Sequence, residues 1–375
     1  MIKKMNKESS KILQNALHFR QKIFIENQRN SFVNDEIEEV ILILGSSRSG
    51  SSLLYQILNR HPDIISLPGE DITYYKLFGY GMPQSPKDED RLEGVEINYE
   101  ELANEMLRDA GYFSPKEANS AQKLMRLALQ WPEKLPSLDK IDFKSPYYEN
   151  ALLKTHFESS DKNIFIEEPP FIIPKNLEYK SNSKRKILLL KSSSNVYRMN
   201  HVQKLFPKAK FHYILLNRSA EGSINGLMDG WLSSGFHSNN LEEICSLNIK
   251  DYSSKKWWKF DLPPGWFELV NSSLVEVCAH QWKKAYEYAI NFLNDKEFST
   301  LQYETFFTPD IAVRDINQIL KKLDLASLSI HTEFPHIMST NKPELNRWKK
   351  KKEIISPIAN SNEILALAKL LKDLK

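Results

Sequence analysis

The stretch that most constrains this chain is VILILGSSRSGSSLL at residues 40–54. Five apolar residues, Val40 to Leu44, run into Gly45, Gly50 follows five positions later, and Ser51 and Ser52 come next. A short β-branched run stopped by glycine reads as a strand buried on both faces, which demands a sheet with helices packed on each side. A strand that enters a glycine-bearing loop and then a helix offers an anion backbone N–H groups and the positive end of the helix dipole. The spacing fits the nucleotide-binding pattern G-x-x-x-x-G-K-[ST], except that Ser51 stands where the lysine belongs. Arg48, inside the loop, is its one cation. Its planar, permanently charged fork suits a tetrahedral anion.

The rest of the chain repeats the strand-then-helix alternation. KILLLKS is a strand candidate followed by the helical pattern NVYRMNHVQKLF, which stops at Pro207. KFHYILLNR and AEGSINGLMDGW form a second such pair, and FSTLQYETF with AVRDINQILKKLDL a third. The long amphipathic pattern LVEVCAHQWKKAYEYAINFL precedes that third pair, and NIFIEEPP is a further strand candidate. Such alternation predicts a three-layer α/β fold, a parallel sheet with flanking helices. With 375 residues, the division reads as an N-terminal helical extension over 1–37, one domain over 38–350, and a C-terminal helical segment over 351–375. The domain carries insertions at about 75–160 and 232–272. The second insertion holds Trp257, Trp258 and Trp266, with Trp231 just before it. It reads either as a lid facing the acceptor or as a satellite core.

Composition removes some function classes. A net charge of +3 gives no field for nucleic acid. No apolar run is long enough for a membrane span or secretory signal, so a cytoplasmic location is expected. Cys245 and Cys278 have no paired spacing and read as buried free thiols. The best later strand ends ILLNR, in arginine and not in a metal-holding aspartate, which disfavours magnesium-dependent hydrolysis of a nucleotide triphosphate.

The stretch GSSRSGSSLL resembles the 5′-phosphosulfate loop of sulfotransferases that use 3′-phosphoadenosine 5′-phosphosulfate (PAPS), in the group with arginine in the loop, which includes bacterial and tyrosyl-protein enzymes. The resemblance implies a fold like that of P-loop kinases, PAPS as co-substrate and no metal. It assigns the 5′-phosphosulfate to Arg48, Ser49, Gly50, Ser51 and Ser52. FHYILLNRSAEGSINGLMDGW resembles the family's second motif, in which an arginine and a serine eight positions later hold the 3′-phosphate. Arg218 matches the arginine, but position 226 is glycine, so Ser223, on the same helix face, or the Gly226 backbone is the substitute. QYETF nominates Tyr303 beside the nucleotide. STNKPELNRWKK nominates Lys342 in a closing C-terminal loop, with Arg347 and Trp348 as weaker candidates.

Sulfuryl transfer requires a base for the acceptor hydroxyl. Ser193 stands where the steroid and phenol enzymes carry a histidine. HPDIISLPGEDITYY resembles the segment in which related enzymes carry a proposed glutamate base. This nominates Glu70, with Asp71 as competitor. His61, His201, His212 and His280 read as packed or surface residues, and Glu167 either faces the acceptor or ends a strand. The implied partner is a small-molecule or carrier-bound hydroxyl acceptor. The rival readings are a P-loop nucleotide kinase and a non-catalytic nucleotide-binding protein.

Overall fold

A computed structural model describes residues 37–67, 70–109, 186–233, 236, 238–329 and 343–374. The expected N-terminal helix, the NIFIEEPP strand, most of the 75–160 insertion and Lys342 lie outside the described residues.

The VILILG run forms the central strand, β1 (Glu39–Leu44). Its neighbours are β3 (Ile187–Lys191) and β4 (Lys210–Asn217), both parallel to it. The edges are β2 (Ile64–Ser66) and β7 (Phe298–Gln302), giving the order β2-β3-β1-β4-β7, while β5 (Ser238–Asn240) and β6 (Trp257–Lys259) pair antiparallel in a second, two-stranded sheet. Side chains alternate across β1: Val40, Leu42 and Leu44 enter one core, Ile41 and Ile43 the other. None of the five is more than 1% exposed. A strand hydrophobic on both faces is stable only between two apolar layers.

Helices supply those layers. One face is covered by α1 (Ser51–Leu58) and α7 (Pro309–Lys322), through residues such as Leu54, Leu58, Ile316 and Leu320. The other is covered by α4 (Met199–Leu205), α5 (Ala220–Leu232) and α6 (Leu274–Leu293). Outside these pack α8 (Lys352–Ala359) and α9 (Asn362–Asp373), which add Ile355 and Leu371 to the same core. Two short helices, α2 (Ile72–Leu77) and α3 (Tyr99–Asp109), lie before the β3 strand in the chain. The expected three-layer parallel α/β architecture is the one the chain adopts. The parallel register pairs Ile43 with Lys191 and Leu44 with Leu215. The carboxyl ends of the three central strands therefore meet at one edge, where open α/β sheets place their ligands.

Local differences from the sequence reading have short-range causes. IIS at Ile64–Ser66 is a three-residue strand, too brief for periodicity to reveal. Tyr303 and Glu304 lie in a 3₁₀ turn (Tyr303–Phe307) beyond β7 and not within the strand. The four tryptophans take the packed alternative: Trp231, Trp257, Trp258 and Trp266 are at most 4% exposed. Trp258 meets Trp231 and Trp266 edge to face. The indole N–H of Trp231 donates to Gln281, that of Trp258 to the Asp261 carbonyl and that of Trp266 to the Asp88 carbonyl. Cys278 is buried, Cys245 is half-buried, and both are free thiols.

Candidate functional site

The loop after β1 turns back on itself where the Ser49 N–H donates to the Ser46 carbonyl at 3.2 Å. Arg48 and Gly50 occupy the left-handed region, with φ of 66° and 94°. Gly50 caps α1, its carbonyl accepting from Leu53 and Leu54. The N–H groups of Ser51 and Ser52, the first two residues of α1, have no carbonyl one turn earlier in the helix to donate to and lie at its loop end. The Arg48 guanidinium lies over the Phe236 ring, 4.4 Å from its centroid.

At the end of β3, Lys191 reaches into the same space. Its ammonium donates to the Ser52 Oγ at 2.9 Å and forms an ion pair with Glu70. Lys191 is 5% and Glu70 6% exposed, so both charges are buried. Asp71, the competing carboxylate, turns elsewhere. Asn195 donates to its Oδ1 at 3.0 Å, and the nearby Arg198 charge opposes the rise in pKa that burial causes. Two adjacent carboxylates thus have separate surroundings, and it is Glu70 that shares Lys191 with Ser52 at the start of α1. Lys191 was missed in the sequence. The signal was a lysine ending a strand that is otherwise apolar, ILLLK, at the sheet edge shared with the loop.

Arg218 follows β4 and enters the site from the other side. Its Nη1 donates to the Arg48 carbonyl at 2.6 Å, and its guanidinium lies 4.1 Å from the Tyr303 ring centroid. Arg48, Arg218, Tyr303, Gly222, Gly226 and Arg347 line one pocket together with Trp348. Ser223 is not among the lining residues. It is fully buried, and its Oγ has no hydrogen-bond partner. The α5 face turned to the pocket is that of Ser219, Gly222 and Gly226. A Cβ on Gly226 would lie 3.3 Å from both Arg218 Nη1 and Arg48 Cβ, so the bare backbone lets the two arginines converge. Asp229, one turn on, pairs with Arg347 and, at 2.6 Å, with Lys351. Burial and the Arg218 charge both depress the Arg347 pKa. Cations packed this closely suit an anion.

Each of the four histidines among the described residues is held by a bond to another part of the chain. His61 bonds to the Ala326 carbonyl, His201 to Tyr99, His212 to Glu39 and His280 to the Pro264 carbonyl.

A family model described as the sulfotransferase family matches residues 40–218. No curated protein matches the chain. Among solved structures, the chain is similar to a sulfotransferase domain from the curacin biosynthetic pathway, at 16% identity over 90% of this chain and 98% of that one, with a TM-score of 0.42. It is also similar to a sulfotransferase from Mycobacterium tuberculosis H37Rv, at 12% identity over 85% and 77% of the two chains, TM-score 0.39. A sulfotransferase domain from the Synechococcus PCC 7002 olefin synthase gives 15% identity over 90% and 96%, TM-score 0.39. Residues 40–218, the span from the central strand through Arg218, are therefore similar to the sulfotransferase family.

Proposed function

We infer that the protein moves a sulfuryl group from PAPS to a hydroxyl of a small-molecule or carrier-bound acceptor, with Glu70 as general base. The observation that carries this reading is the hydrogen-bonded chain Ser52, Lys191, Glu70 at the mouth of the anion loop. It sets a carboxylate, a cation and the loop helix within reach of one reacting group. The residues fit a polyanionic donor. Arg48, Lys191 and Arg218 gather at one sheet edge, and the buried hydroxyls of Ser49 and Ser192 have no hydrogen-bond partner.

In this scheme the donor, when bound, supplies an electrophilic sulfur and a phosphate leaving group. Ser49, Gly50, Ser51 and Ser52 hold the 5′ end through backbone N–H groups and hydroxyls. Arg48 and Lys191 stabilise charge on the oxygens of the group in flight. Arg218, with the Gly226 backbone and Arg347, receives the 3′-phosphate, and Tyr303 stacks beside the nucleotide. Ser223 contributes only if its buried hydroxyl is brought to the pocket, and Lys342 belongs to the closing segment. Glu70 accepts the acceptor's proton, and Lys191 holds that carboxylate in place until it does. We take the domain to run from 38 to 350, with the flanking segments outside the catalytic unit, and the enzyme to be cytoplasmic.

The test is calorimetric and kinetic. Adenosine 3′,5′-bisphosphate should bind in preference to ATP with magnesium, and a PAPS-dependent mass gain of one sulfuryl group should appear on a hydroxyl acceptor. Glu70→Gln should keep bisphosphate binding and lose about 10²–10⁴-fold in transfer. Preference for ATP sinks the reading in favour of a kinase. Tight bisphosphate binding with no turnover on any acceptor favours a non-catalytic protein.

A further inference from the structure

The Trp-rich segment delivers a buried carboxylate to the back of the anion loop. Asp261 is 1% exposed; its Oδ1 accepts from the Ser47 Oγ at 2.7 Å and its Oδ2 from the Tyr197 hydroxyl at 2.7 Å. Ser47 precedes Arg48, and Tyr197 lies in the 3₁₀ turn (Ser193–Tyr197) that follows Lys191. One carboxylate therefore ties together the two segments that carry the candidate catalytic cations. The same segment touches Arg48 directly, since Phe236 lies under its guanidinium and Phe260 packs on Phe236 with ring centroids 5.4 Å apart.

The backbone around this guanidinium is strained. Arg48, Phe236 and Phe260 have φ of 66°, 72° and 64°. Bulky residues seldom adopt this region, and such strain concentrates where geometry serves function. A fully buried carboxylate beside an anion-binding loop is also a poor choice for stability alone. Burial pushes the Asp261 carboxyl up to about 6, and the second buried acid, Asp90, adds to the rise. Asp90 is itself held by the Ser194 hydroxyl and the Leu262 N–H. Among the described residues, the Tyr197 hydroxyl and the Cys278 thiol also face Asp261.

We propose that Asp261 is a positioning residue of the anion loop, which, with Phe236 and Phe260, fixes Ser47 and Arg48 in the conformation that receives the anionic donor. This rests on the sulfuryl-transfer reading and adds to it a role for residues 232–272 toward the donor. Asp261 touches no reacting atom; it acts through Ser47 and the loop.

The experiment is a double-mutant cycle on the full chain, with Asp261→Asn, Ser47→Ala and the two combined. Adenosine 3′,5′-bisphosphate affinity is read by titration calorimetry, transfer by steady-state kinetics and stability by thermal melting. Each single variant should weaken the bisphosphate by about tenfold, the worth of one hydrogen bond to a charged group. The double variant should be no weaker than the worse single one, and the loss should appear in the donor KM more than in the acceptor KM. Asp261→Asn should melt at or above the wild-type temperature, because it removes a buried charge. A merely structural residue would lower melting temperature and weaken both substrates alike, and that result overturns the proposal. So do wild-type affinities in the single variants, or losses that add in the double. Ser47→Ala alone carries the same expectation should Asp261→Asn fail to fold. A wild-type protein that does not bind the bisphosphate overturns the donor reading and this inference together.

Discussion

At the residue scale, the buried pair of Lys191 and Glu70 sets the strongest expectations. Both side chains are almost fully enclosed, so removing one partner strands the other's charge in a low-dielectric interior. Lys191→Met should cost about 3–5 kcal/mol of stability by that account, measured by urea unfolding, in addition to its loss of transfer. The double variant with Glu70→Gln should recover most of the stability and none of the activity. A double variant less stable than Lys191→Met would show that the pair is not the source of the loss. Gly226 gives a second test at this scale. Serine there would restore the hydroxyl that the family's spacing anticipates, yet its Cβ meets Arg218 and Arg48 at 3.3 Å. Gly226→Ser should therefore weaken adenosine 3′,5′-bisphosphate and leave 5′-AMP nearly unaffected, read as the ratio of their Kd values. The sequence made the departure at 226 visible. That Arg218 uses the vacated space to reach the Arg48 carbonyl is a tertiary fact.

At the element scale, α5 illustrates a conflict between propensity and packing. Glycine in a helix interior is disfavoured by about 1 kcal/mol against alanine, so Gly230→Ala should stabilise an isolated helix. In the folded protein a Cβ on Gly230 would lie 2.4 Å from Phe260 Cζ, the ring that supports Phe236 beneath Arg48. Gly230→Ala should consequently lower the melting temperature and reduce transfer together, the sign opposite to propensity. The start of α6 offers a simpler case. Ser273 and Glu276 form a reciprocal capping box, so Ser273→Ala should cost about 1 kcal/mol with no change in donor affinity. This helix was legible over its whole length because its apolar spacing is strong. Strand β2 was not, because three residues carry no period.

At the scale of the whole molecule, the buried acids set a pH dependence. Asp261 has a folded-state pKa raised to about 6 from an ordinary 3.8, so its protonated form favours the fold. Its contribution is fully present below about pH 4 and is lost as pH rises through 6, a change of about 3 kcal/mol. The unfolding free energy of wild type minus that of Asp261→Asn should fall by that order between pH 4 and 7; a flat difference would contradict the burial. Burial raises Asp71 as well, which is why the variant comparison is needed to isolate Asp261. The sequence by itself determined the central strand, the glycine-bearing loop with its single arginine, the helix that follows and the parallel α/β class. Each is encoded within about fifteen consecutive residues by apolar period and turn chemistry. Only the tertiary structure decided that Lys191 joins Glu70 to Ser52, that Ser223 turns away from the pocket, and that Asp261 lies behind Ser47 from 214 positions along the chain. These contacts depend on strand register and on where a distant segment packs, and no local pattern of residues specifies either.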